Sequence, residues 1–117
     1  MSDASTPRFL QGRFPFTGDG FDSLAPIDES LTLTVSDGKT LQAVYFRGGN
    51  SSDELVTVAL LRGGVPVRYF PIGAKGATHV PLRLVEDFDA GEVVELHVTA
   101  DKSTTGTLII DLGLVEF

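Results

Sequence analysis

The 117-residue chain contains no cysteine. That excludes a disulfide framework, a thiolate metal centre, an iron–sulfur cluster and a cysteine nucleophile. Its two histidines cannot build a three-histidine zinc site. Positive charge is scarce: nine Lys and Arg stand against sixteen Asp and Glu, for a net charge of −7. A polyanion repels nucleic acid and anionic lipid at long range, so neither is expected as a partner. No apolar run approaches the ~18–20 residues of a membrane-crossing helix. Met1–Pro7 carry neither the basic nor the apolar stretch of a secretory leader, which predicts a cytoplasmic location.

A helical hydrophobic pattern is missing as well. The apolar residues alternate or run together and are mostly Val, Leu, Ile, Phe and Tyr, which suit pleated backbone. Leu31, Leu33 and Val35 alternate with Thr32 and Thr34. Strands follow at Leu41–Phe46, Leu55–Leu61, Val65–Ile72, His79–Val85, Val93–Ala100 and Thr107–Phe117. Gly48–Asp53 reads as a loop, and Gly63-Gly64 as a tight hairpin turn. Pro66 and Pro71 place the strand that holds them at a sheet edge or a bend. Gly113 is a candidate bulge. About seven strands at 8–12-residue spacing predict an all-β, antiparallel two-sheet sandwich of seven to nine strands. The stretch Asp89–Val98 resembles the turn-then-strand phrase of jelly-roll and immunoglobulin-like sandwiches, an architectural resemblance only.

Residues 1–26 differ from the remainder. Phe9, Phe14, Phe16 and Phe21 lie among Gly12, Pro15, Gly18 and Gly20. This segment reads as an aromatic arm or first strand packing on a sandwich domain of residues 27–117. Charge is also uneven along the chain: residues 1–39 carry −3, residues 40–85 carry +3 and residues 86–117 carry −7.

The segment Arg68–His79 is richest in chemistry. Arg68, Tyr69, Phe70, Lys75 and His79 supply aromatic faces beside polar donors, the combination that suits a sugar or a flat organic ligand. Gly73–Thr78 lacks the spacing and the following helix of a phosphate loop, so nucleotide binding is rejected. Glu86–Glu92 and Gly18–Asp22 offer carboxylates for calcium, but both lack a recognised ligand spacing and read as solvated turns. No Gly-x-Ser-x-Gly elbow is present. His97 falls on the strand face opposite Val94, Leu96 and Val98 and is expected to face solvent; His79 is the better base. No catalytic constellation is marked, and no cofactor is implied.

Leu41–Phe46 and Leu55–Leu61 are apolar on both faces, and the chain is apolar up to Phe117. Something must cover those surfaces. The favoured reading is a non-catalytic interaction or assembly module, a homo-oligomer or the partner of another protein. One alternative is a small-ligand module, with a glycan as ligand, using Arg68, Tyr69, Phe70, Lys75 and His79. The other is an accessory subunit or domain of a larger enzyme complex.

Overall fold

The computed structural model describes residues 5–82 and 87–117. Among the described residues there are ten β-strands, more than the seven to nine expected because short strands form at residues 25–26, 32–34 and 87–89: β1 (Thr6–Thr17), β2 (Ala25–Pro26), β3 (Thr32–Thr34), β4 (Thr40–Asn50), β5 (Val56–Arg62), β6 (Val65–Ile72), β7 (Ala77–Pro81), β8 (Asp87–Asp89), β9 (Val93–Ala100) and β10 (Thr105–Glu116). They form two five-stranded antiparallel sheets, so the chain is an all-β sandwich. The first sheet runs β1-β10-β4-β7, with β8 also pairing β4. The second runs β2-β9-β5-β6, with β3 also pairing β9.

Alternation builds the core. Leu108, Ile110, Leu112 and Leu114 of β10 point inward with Leu41, Ala43 and Phe46 of β4. Val56, Val58 and Leu60 of β5 meet them from the opposite sheet, with Val94, Leu96 and Val98 of β9. Phe46 and Phe70 stack across the interface with ring centroids 4.1 Å apart. Each such buried side chain stabilises the fold by about 1.5–3 kcal/mol.

The Gly63-Gly64 turn joins β5 to β6 as expected. Both glycines take positive φ (55° and 84°), the geometry whose twist matches the flanking strands. The proline-bearing β6 is an edge strand. The register of β10 on β4 shifts between Gly113 and Leu114, whose partners are Tyr45 and Ala43; the extra residue is Val44, so the bulge is in β4, opposite Gly113, and not in β10 as expected.

Four further expectations need correction. Gly48, Gly49 and Asn50 are not loop; they continue β4, pairing with Ile110, Ile109 and Leu108. The strand expected at His79–Val85 runs over Ala77–Pro81, and residues 83–86, including Leu84, lie outside the described residues. His97 does not face open solvent: its side chain is 15% exposed, because it stands inside the sheet between Pro26 and Ala59 in register. Phe117 is tied by its backbone to Thr40, yet its ring is half-exposed.

The second faces are covered unevenly. On β5, the outward Ala59 and Leu61 are 0% and 2% exposed. Phe16 joins the core, and Phe14 packs against it. Phe9, Val44 and Ile109, all on the sheet that holds β1, stay exposed.

Candidate functional site

The outer surface of the β1-β10-β4-β7 sheet carries the candidate site. Register sets its rows. Gln11, Asp111, Arg47 and His79 lie side by side across β1, β10, β4 and β7. Two residues along, Arg13, Ile109, Gly49 and Ala77 form the next row. In the other direction Phe9, Gly113, Tyr45 and Pro81 form a third. All these residues share a face because side chains repeat every second residue along a strand.

Two recesses open on this face. The first is about 440 Å³ and is lined by Arg47, Gly48, Gly49, Ala77, Thr78, His79, Ile109 and Asp111. The second is about 430 Å³ and adds Arg13, Asn50, Ser51, Lys75, Gly76 and Thr107. They share Gly49, Ala77 and Ile109, so together they make one shallow, apolar-floored groove across the strands. Gly49 makes the depression: a Cβ there would meet Ile109 at an ordinary 3.5 Å, so the missing side chain leaves open space.

Tyr45 borders the groove. Its ring lies against Gly113, where any side chain would collide with it. Its hydroxyl donates to Oδ1 of Asp111 at 3.0 Å, and Nε2 of Gln11 donates to the same oxygen at 3.2 Å. Partial burial raises the Tyr45 pKa, and the hydrogen bond and negative charge of Asp111 raise it further, against a small opposing effect of Arg47. The phenol therefore stays protonated and keeps donating. The Arg47 guanidinium sits 5.4 Å from the Tyr45 ring centre, within cation–π range. His79 meets the same ring edge-on, with centroids 6.4 Å apart.

The far end of the groove is braced by a buried amide. Nδ2 of Asn50 donates to the carbonyls of Glu54 (2.8 Å), Gly73 (3.1 Å) and Ile72 (3.2 Å). Its Oδ1 accepts from the Ser52 N–H at 2.9 Å. These bonds fasten the loop after β4 to the turn after β6. Lys75, in that turn, adopts φ 52° and places Nζ 3.2 Å from Asp53.

The sequence candidates do not form one cluster. His79 and Lys75 lie on the groove. Tyr69 is 61% exposed, but it belongs to β6 of the other sheet, opposite Ala59. Arg68 is on the same strand, half-buried. Phe70 is 2% exposed and stacked on Phe46, so it serves the core and meets no ligand. Alternation alone separates Tyr69 from Phe70. Tyr45, Arg47, Asp111, Gln11 and Arg13 escaped sequence reading because three strands far apart in the chain supply them. The one local signal was Tyr45-Phe46-Arg47, an aromatic and a base on the same side of a strand whose other side is apolar.

The acidic stretch near β8 is locally satisfied. Asp87 accepts from Gln42, and Glu92 accepts from the Asp89 N–H and lies 3.5 Å from Arg62. Asp53, Glu54 and Asp101 rim a separate polar recess. Among the described residues, no three His, Asp or Glu side chains are grouped to hold a metal ion.

No protein-family profile matches the chain, and no curated protein matches it. Its fold is similar to that of a solved structure, the CBM36-1 domain of a multidomain xylanase from the hindgut metagenome of Trinervitermes trinervoides. The TM-score is 0.53 at 18% sequence identity, covering 94% of this chain and 96% of that one. At that identity the likeness establishes the β-sandwich fold shared with a carbohydrate-binding module, and the fold alone.

Proposed function

We propose that this domain is a non-catalytic carbohydrate-binding module whose glycan lies along the groove beside Tyr45. The observation that carries the reading is the groove itself: an apolar floor of Gly49, Ala77 and Ile109 next to an aromatic ring and several polar groups. Sugar rings present apolar C–H faces and hydroxyl edges, so they need both at once. The Asp111 Oδ1 is taken by Tyr45 and Gln11, leaving Oδ2 to accept a sugar hydroxyl. Phe9, across Gly113 from Tyr45 and 52% exposed, extends the aromatic border.

The chemistry favours binding over bond cleavage. A glycosidase needs two carboxylates flanking the scissile bond, and Asp111 is the only carboxylate among the described residues that line the groove. The shared fold with a domain of a multidomain xylanase supports the same reading and suits the accessory-domain alternative, in which such a module holds an enzyme near its polysaccharide. These observations favour the ligand reading over self-association.

Affinity gel electrophoresis against a panel of soluble plant, algal and bacterial polysaccharides tests it. At least one should retard the domain. Tyr45→Ala should weaken that binding by about tenfold, ~1.4 kcal/mol, as truncation of a central aromatic contact does. No retardation by any polysaccharide overturns the function. Retardation that Tyr45→Ala leaves unchanged overturns the placement.

A further inference from the structure

Taking the groove as a glycan site, we infer that it selects glycans bearing carboxylates, uronate-containing polysaccharides rather than neutral ones. The argument is one of local charge. The groove lining holds Arg13, Arg47 and Lys75 against Asp111 alone, in a chain whose net charge is −7.

Pairing sharpens the point. Lys75 is held by Asp53, and Arg8, further along β1 from Arg13, is held by Glu116 at 2.8 Å. Arg13 and Arg47, by contrast, have no hydrogen-bond or ion-pair partner among the described residues, and neither does His79. Arg47 stands directly across from Asp111 in register, yet its guanidinium lies over the Tyr45 ring. The cation–π contact positions the guanidinium while leaving its N–H donors open. A planar guanidinium with open donors fits a carboxylate through two parallel hydrogen bonds.

Placement agrees with a chain-like ligand. Arg13 is on β1 and Arg47 on β4, separated by β10 and offset by one row. With strands ~4.8 Å apart and ~3.4 Å of rise per residue, their α-carbons are about 12 Å apart. Between them on β10 lie Ile109 of the apolar floor and, one row along, Asp111, whose Oδ1 is already engaged by Tyr45 and Gln11. One polysaccharide segment crossing that floor therefore offers carboxylates to both arginines while a sugar ring covers the floor. The overall negative charge opposes any polyanion at long range, so selection depends on these short-range contacts.

The test uses the whole chain and three acidic polysaccharides: glucuronoxylan, polygalacturonate and alginate. Each is compared with its carboxyl-reduced counterpart by titration calorimetry at low ionic strength. At least one acidic form should bind about tenfold tighter than its reduced form, and the gap should close in high salt. In the double variant Arg13→Gln/Arg47→Gln, checked for folding by thermal melting, the gap should vanish. Equal binding of acidic and reduced forms overturns this inference and leaves the carbohydrate-binding reading standing. Binding of a neutral glycan alone does the same. Absence of binding to every acidic, reduced and neutral polysaccharide overturns both. Equally tight binding of a single-stranded oligonucleotide of matched charge also overturns it, because the groove then reads charge without reading sugar. A gap that survives the double variant places the selectivity elsewhere and overturns it too.

Discussion

The two outer faces of the sandwich are built from the same kind of strand and end up unlike each other. On the sheet of β5, β6 and β9, outward Ala59, Leu61 and Thr99 are buried. On the sheet of β1, β4 and β10, Ile109 is 54% exposed over an open recess. Glycine content is one contrast between them. Gly12, Gly48, Gly49, Gly106 and Gly113 all lie in strands of the recessed sheet, and the strands of the other sheet contain none. Two of the five face outward: Gly113 gives its space to the Tyr45 ring, and Gly49 leaves the room open to a ligand.

The comparison can be broken most forcefully at Gly48. It points inward, where a Cβ would come within 2.7 Å of Ile72 and 2.8 Å of the Phe46 ring. Phe46 is fully buried and stacked on Phe70, so it has little freedom to yield. Gly48→Ala should cost roughly 1–3 kcal/mol, read from urea denaturation midpoints.

Gly113→Ala acts on the groove. The new methyl group must displace the Tyr45 ring, weakening its bond to Asp111. Glycan affinity should fall several-fold while the midpoint of unfolding moves little, since the displaced ring is at the surface. Tyr69→Ala is the counterpart on the other face. Despite its greater exposure, it should change affinity less than twofold, below about 0.4 kcal/mol.

Gly49→Ala should do the opposite of Gly48→Ala. Its Cβ finds ordinary contact with Ile109, and replacing a strand glycine by alanine stabilises by about 0.5–1 kcal/mol. The same methyl fills the floor, so binding should weaken a few-fold as stability rises. A destabilised Gly49→Ala protein would contradict the account of the recess as unused space.

A further effect concerns the paired carboxylate of the recessed sheet. Glu116 is buried and accepts from the Ser36 N–H at 3.0 Å and from Arg8 at 2.8 Å. The Ser36 bond is the main cause holding its carboxyl below the usual range, with Arg8 adding to it against the opposing effect of burial. A carboxylate with a lowered folded pKa stabilises the protein above its unfolded pKa, and that contribution is lost as pH falls through the folded value. Glu116→Gln should therefore lower the neutral-pH melting temperature by a few degrees and flatten its fall in acid. Unchanged acid sensitivity would assign that sensitivity to other carboxylates.

Much of the fold was legible in the sequence because side-chain direction in a strand is a local property. The alternation Leu108, Ile110, Leu112, Leu114 specified which face of β10 is buried before any partner was known. The two glycines after β5 specified the hairpin, and two prolines specified an edge. The groove was not legible, for an equally physical reason. Tyr45, Arg47, Asp111 and Arg13 become neighbours only through the pairing of β1, β10 and β4, and strand pairing depends on packing between distant segments. Even Gly48 and Gly49, identical in sequence terms, received opposite roles from the direction in which the tertiary structure turned each one. Local chemistry determined the strands and their buried sides; tertiary pairing alone decided which outward residues would stand together around open space.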